Sequence, residues 1–116
     1  MKFVIGASGE MKQGILRVVA AGLQTLVVDF GRPEHRHLGV PVGGAADRFS
    51  LAIGNALVGN PPDAAALEIS LAGPTLEADS ELACVLFGAS FSLASDRQDL
   101  QAGKTFTLEA GERLQV

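Results

Sequence analysis

The side chains with chemical capacity gather in and around one glycine-rich stretch, from Asp29 to Asp47 and into the residues that follow it. Arg32, Arg36 and Arg48 are three of the six arginines of the chain. A guanidinium offers a planar fork of donors that matches a carboxylate, so this clustering points to recognition of an anion. Ion pairing with Asp29, Glu34 and Asp47 on the surface is the competing reading of the same residues. His35 and His37 form an H-x-H pair, and in an extended segment alternate residues share a face, as two zinc ligands require. No further histidine exists, and Cys84 lies in an apolar run, so a metal would need Asp29 or Glu34 as well; the set falls short of the usual ligand count. Glu68 stands on the polar side of an alternating segment, where a carboxylate serves as a general base, as a partner for the nearby arginines, or only as a solvated surface acid.

These groups need elements to hold them. The segment GRPEHRHLGVPVGGAAD, Gly31 to Asp47, is a long structured loop, because Pro lacks a donor and Gly loses most conformational freedom on ordering. A short helix follows, Asp47 to Leu57, with Phe49, Ile53 and Ala56 spaced as an apolar stripe. Asp47 suits its N-terminal cap, and Gly59 and Asn60 suit its end before Pro61 and Pro62. The free amides at the helix start, preceded by Gly43 and Gly44, suit a carboxylate or phosphate. No GK[ST] occurs, so this is not a P-loop.

The remainder reads as strand. Leu16 to Ala20 and Thr25 to Phe30 are β-branched runs that form two adjacent strands or one bent strand. Ala64 to Ala72 alternates, with Leu67, Ile69 and Leu71 on one face and Glu68 and Ser70 on the other. Leu82 to Phe87 is apolar on both faces, as a central strand would be. Shorter strands follow at Phe91 to Ala94, Lys104 to Glu109 and Arg113 to Val116. Lys2 to Ile5 makes a small strand, within a segment 1–14 read as a leader or flexible piece; residues 15–116 form the folded part. The fold class is mainly β (α+β), an antiparallel barrel or sandwich with one short helix.

Composition narrows the partners. The 116 residues are enough for one domain, and 47% hydrophobic residues can bury a compact core. A net charge of -4 and the absence of Trp and Tyr argue against nucleic acid, which wants a basic face or stacking platforms. The lone Cys84 permits no internal disulfide and fits a cytoplasmic location as a packed core residue. The N-terminal apolar run is too short for a signal peptide or a membrane span.

Three blocks in order, GLQTLVVDFGRP (Gly22 to Pro33), LGVPVGGAADRFSLAIGNALVGN (Leu38 to Asn60) and ALEISLAGPTL (Ala66 to Leu76), resemble the N-terminal part of the KipA family. This family is also described as allophanate hydrolase subunit 2 or as the C subunit of 5-oxoprolinase, and the carboxyltransferase domain of urea carboxylase shares its pattern. The resemblance implies a cyclophilin-like β-barrel subdomain that associates with a KipI-like (subunit 1) protein. It implies a small amide or carboxylate substrate such as 5-oxoproline, urea or allophanate, and hydrolysis or carboxyl transfer driven by ATP, with biotin in the urea carboxylase relatives. No cofactor is expected on this chain itself. A regulatory role as an antagonist of a kinase inhibitor is the alternative that the family offers. On this reading Glu68 and Asp47 are the catalytic candidates, and Arg32, Arg48, Asn55 and Asn60 would bind substrate. Each also has a plain structural reading: Asp47 as a cap, Arg48 paired with Glu68, Asn60 as a left-handed turn residue. The chain departs from the family segment G-V-P-x-S-G-A-M-D by Gly43 and Ala46, so a serine hydroxyl is missing there. The family domain is much longer, so an isolated chain is expected to be inactive and to self-associate through unpaired strand edges, as a homo-oligomer.

Overall fold

The computed structural model of the protein describes residues 2–7 and 14–116. Among the described residues there are nine strands and one α-helix: β1 Lys2–Ala7, β2 Leu16–Ala20, β3 Gln24–Val28, α1 Arg48–Leu57, β4 Ala66–Ser70, β5 Thr75–Ala78, β6 Leu82–Phe87, β7 Ala94–Ser95, β8 Thr105–Leu108 and β9 Arg113–Gln115. A 3-10 helix, Pro33–Leu38, lies in the long loop. The molecule is mainly β with one short α-helix, as its composition of strand-forming runs predicts.

Every pairing is antiparallel. One sheet has the order β3-β4-β1-β6-β8 and the other β2-β5-β9-β7. Among the described residues neither order closes into a ring. The expected small strand near the N-terminus is β1, and it takes the middle of the five-stranded sheet, opposite both β4 and β6. Residues 2–7 of the segment expected as a leader or flexible piece form this strand, and residues 1 and 8–13 of it lie outside the described residues.

β6 has the two apolar faces that its sequence predicts. Leu82, Cys84 and Leu86 join Ile69, Leu76, Leu108 and Leu114 in the core, all at most 1% exposed. Val85 belongs to a second cluster with Ala45, Leu51 and Ala66 beneath α1. Burial pushes the Cys84 thiol up to about 12, with the charge of Glu112 adding to the effect, so the residue is inert packing. Each of the large core side chains contributes on the order of 2 kcal/mol through removal of apolar surface from water.

Four local expectations give way to tertiary context. β2 and β3 are neither adjacent strands nor one bent strand: β2 pairs with β5 and β3 with β4, in different sheets. Gly22 turns the chain between them at φ 73, where an added Cβ would meet the backbone of Ala72 and Gly73 at 2.5 Å. β5 follows the Gly73-Pro74 break, where no strand is expected from the sequence. The strand expected over Phe91 to Ala94 is reduced to Ala94–Ser95. Leu71, expected on the buried row of β4, lies past its end at φ 65 and is 73% exposed.

Candidate functional site

α1 starts where the sequence predicts, with Asp47 as its cap. The Asp47 carboxylate accepts the Ser50 backbone N–H at 3.0 Å and a very short hydrogen bond from the Ser50 hydroxyl. The buried face of the helix is Ser50, Leu51, Gly54 and Asn55, and not the expected stripe, since Phe49 is 77% exposed. Small Ser50 and Gly54 let the helix lie close to the sheet, with Leu51 as the single large side chain in the contact. Close seating brings the helix start against β4.

There Glu68, on the helix-facing side of β4, accepts the Ala46 N–H at 2.9 Å. Asp47, Ser50, Glu68 and Ala46 then form one side of a recess of about 170 Å³, closed by Phe87, Gly88 and Ala89 from the end of β6. The two catalytic candidates thus meet in a single small cavity. Ser50 and Phe87 belong to it as well, and neither is singled out by the sequence. Ser50 sits three residues after a capping Asp, which is a usable signal for the hydroxyl; Phe87 requires knowledge of the β6 register.

The chemistry of the recess differs from the expectation. The sequence suggests helix-start amides free for an anion, but Ala46 and Ser50 direct theirs to Glu68 and Asp47. A pocket edged by two carboxylates and no guanidinium in its lining rejects anions and favours a ligand that brings N–H donors.

The arginines stand apart. Arg32 lines a second cleft of about 340 Å³ with Asp29, Gly31, Val42, Gly43 and Gly44. Its walls are two backbone segments held together by Arg32 N–H to Val42 carbonyl and Ala45 N–H to Asp29 carbonyl, both 2.8 Å. The Asp29 carboxylate accepts the Gly31 N–H at 2.7 Å. Gly31 and Gly44 have positive φ and touch so closely that a Cβ on either would fall 2.3–2.6 Å from a backbone atom of the other wall. Arg48 reaches back from the first turn of α1 to the Gly43 carbonyl at 3.3 Å. Residues 43–47 therefore form a bridge between the arginine cleft and the acidic recess. Among the described residues no ion pair joins Arg32 or Arg36 to a carboxylate.

The two histidines lose the geometry proposed for them. They lie in the 3-10 helix, three residues per turn, where positions i and i+3 share a face and i and i+2 do not. Among the described residues no group of three or more His, Cys, Asp or Glu is placed to hold a metal ion.

Asn55 and Asn60 are not brought to either cleft. Asn55 is fully buried, about 12 Å along the helix from Asp47 at 1.5 Å per residue. Its side-chain amide donates to the Pro62 and Ala64 carbonyls at 3.2 and 2.8 Å, and accepts from Asn60 at 3.3 Å. This pins the connection from α1 to β4, and so fixes where Glu68 sits. Gly59, at φ 79, takes the left-handed position that the sequence suggests for Asn60.

One buried carboxylate lies elsewhere. Glu112, 0% exposed, accepts from the Ser95 hydroxyl, from Gln98 at 2.7 Å and from the Glu109 N–H at 2.8 Å. Burial works to raise its pKa, but these hydrogen bonds and the nearby Arg97 charge outweigh that effect and hold it below the ordinary range. Its role is to fasten β7 and the β8–β9 turn.

Residues 38–116 match the family described as "Carboxyltransferase domain, subdomain A and B". The chain is 37% identical over 100 residues to the C subunit of 5-oxoprolinase from Escherichia coli, covering 86% of this chain and 32% of that protein. It is 26% identical over 102 residues to urea amidolyase of Saccharomyces cerevisiae, covering 87% of this chain and 6% of the other. Its fold superposes on the crystal structure of Kluyveromyces lactis urea carboxylase with a TM-score of 0.82 and 31% identity, over 87% of this chain and 9% of the larger one. The chain thus spans about a third or less of the length of these relatives.

Proposed function

The chain belongs to the carboxyltransferase-domain family, and from that premise we propose that it forms part of a subunit of a 5-oxoprolinase or urea carboxylase type system. The reading is of a cytoplasmic ATP-dependent amidohydrolase or carboxyltransferase acting with a KipI-like partner on a small amide. The observation that carries it is the recess where Asp47 and Glu68 converge at the start of α1. An amide or ureido N–H pointed at either carboxylate gains a charge-assisted hydrogen bond, roughly twice as strong as a neutral one. A carboxylate so placed also takes up a proton as nitrogen loses it, which is general-base work. Arg32 and Arg48, on the far side of the 43–47 bridge, suit a carboxylate or carbonyl oxygen of the same substrate.

The recess does not fit the larger groups of the complete system. About 170 Å³ edged by two acids is too small for a nucleoside triphosphate and has the wrong charge for its phosphates. ATP, and biotin for urea carboxylation, would be handled outside this recess.

A second reading, a non-catalytic regulatory module, is favoured by Gly43. Its added Cβ would meet nothing within 4 Å, so the position that carries the family serine leaves open space beside the arginine cleft. The test is to co-purify the chain with a KipI-like partner and the remaining subunit, then assay ATP-dependent 5-oxoproline hydrolysis and urea carboxylation. Glu68→Ala and Asp47→Asn should each lower turnover by about 10²-fold or more, the usual scale for a general base. Full turnover in Glu68→Ala and Arg48→Ala would defeat the assignment. Stable complex formation without any turnover in the parent chain would favour the regulatory module.

A further inference from the structure

The six arginines divide by partner. Arg17 pairs with Glu77 and Asp79, Arg97 with Glu109, and Arg113 with Glu77. All three sit on or beside the four-stranded sheet, where each charge is met by an acid. Arg32, Arg36 and Arg48 belong to the long loop and the first turn of α1, and among the described residues none of them has a carboxylate partner. Asp29 and Glu34 are close to them in the chain, so the difference is not a shortage of acids. Exposed ion pairs stabilise a fold very little. What the missing pairs leave behind is a set of open guanidinium donors on one side of the molecule.

Two of these three guanidiniums meet at one wall. Arg32 lines the cleft of about 340 Å³ whose other side is Val42, Gly43 and Gly44, and Arg48 donates to the Gly43 carbonyl at 3.3 Å. That single long hydrogen bond uses one of the five N–H donors of Arg48. Asp29 is the acid in the lining, and its carboxylate is taken up by the Gly31 N–H at 2.7 Å, with no ion pair to Arg32. No side chain at Gly43 or Gly44 fills the space. The cleft has twice the volume of the acidic recess and falls within the range of small-molecule sites.

We propose that this cleft is an oxyanion site, in which Arg32 grips a carboxylate or phosphate group through its planar fork and Arg48 adds a second positive charge at the Gly43 wall. The oxyanion has two possible sources with the same chemistry at Arg32: the carboxylate of the amide substrate itself, which rests on the function proposed above, or a separate small anion, which does not. A neutral amide does not engage the site. Charge divides the two cavities accordingly, since the acids of the recess repel the group that the arginines attract, and residues 43–47 stand between them.

NMR titration of the isotopically labelled chain tests this, with inorganic phosphate, acetate, 5-oxoproline and urea as probes at constant ionic strength. Saturable shifts are expected at the Gly31, Gly43 and Gly44 amides and at the Arg32 Nε–H. A response to phosphate or acetate identifies a separate anion; a response to 5-oxoproline alone, joined by the Ala46 and Ser50 amides, identifies the carboxylate of the substrate. In either case Arg32→Ala should weaken binding by at least about tenfold, and Arg32→Lys by less, because a point charge replaces the fork. Arg17→Ala, which removes a guanidinium already paired, should leave the affinity unchanged, and far-UV circular dichroism verifies that the variants fold. The proposal is overturned by the absence of a saturable response to all three anions, by equal affinity in the parent and Arg32→Ala, or by urea competing at the same glycines. Urea shifting Ala46 and Ser50 with no anion response would overturn it and leave the amide recess standing. Anion binding at Arg32 in a chain whose assembled complex shows no turnover would support it and count against the proposed function instead.

Discussion

Gly43 and Gly44 are neighbours with the same left-handed backbone, φ 62 and φ 82, yet the structure assigns them different costs on substitution. At Gly43 a Cβ meets nothing within 4 Å. Gly43→Ser, which restores the residue type of the family segment, thus incurs only the left-handed penalty of about 1 kcal/mol. At Gly44 a Cβ would lie 2.6 Å from the Gly31 nitrogen, 2.7 Å from the Asp29 carbonyl oxygen and 2.8 Å from the Phe30 carbonyl carbon. All three are backbone atoms, so no side-chain rotation relieves the clash. The walls must part, which loses the 2.8 Å hydrogen bonds from Ala45 to Asp29 and from Arg32 to Val42. At about 1 kcal/mol each, added to the left-handed penalty, Gly44→Ala should cost about 3 kcal/mol. With a urea slope of about 1.5 kcal/mol/M, the midpoint should fall by about 2 M for Gly44→Ala and about 0.7 M for Gly43→Ser. Far-UV circular dichroism is the probe of choice, since the chain has no Trp or Tyr. Equal midpoint shifts in the two variants would refute the close crossing of the loop walls.

Two further expectations rest on buried polar groups. Asn55→Ala should destabilise the chain by about 2–3 kcal/mol, because the Pro62 and Ala64 carbonyls lose their donor; thermal unfolding measures this, and an unchanged melting temperature would return Asn55 to the pool of ligand-binding candidates. The folded pKa of Glu112 is depressed, so its stabilisation is fully present above the ordinary glutamate value and is lost as pH falls through the folded one. Denaturation curves from pH 7 down to acid should show stability falling in the parent and a shallower fall in Glu112→Gln, itself weaker at neutral pH by about 2 kcal/mol. An identical pH dependence in both would remove Glu112 as the cause.

Local chemistry is readable in the sequence wherever neighbours in the chain decide the outcome. Asp47 caps α1 because a cap needs only the next three residues, and Glu68 faces away from Leu67 and Ile69 because strand alternation is local. The double-faced apolar run of β6 announces a central strand for the same reason. What escapes is set by distant partners. Phe49 has the spacing of a core residue, but the sheet accepts the face built around Leu51 and Gly54 instead. β2 and β3 read as two adjacent strands or one bent strand, yet their partners are β5 and β4. The arginines and the acids are close in sequence but separate into two clefts, because Gly31 and Gly44 draw the loop into a narrow neck between them. Glu112 has the sequence setting of a plain turn residue; its exchange of hydrogen bonds with Glu109, N–H to carbonyl at 3.0 Å and N–H to carboxylate at 2.8 Å, repeats the reciprocity of a capping box, whose three-residue spacing is the available signal.

The division of β2 and β3 between sheets bears on how the protein is made. Leu16 waits for Ala78 and Thr25 for Ile69, so neither strand finds its partner among residues synthesised soon after it. At about 5–20 residues per second, the roughly 60 residues between β2 and β5 take on the order of 3–12 s to appear. During that interval two apolar, unpaired strands stand next to each other on a nascent chain, and closing such long loops is slow even after release. The ribosome-bound half-chain should therefore be a strong client for chaperones, and slower translation across residues 30–65 should lower the yield of soluble protein.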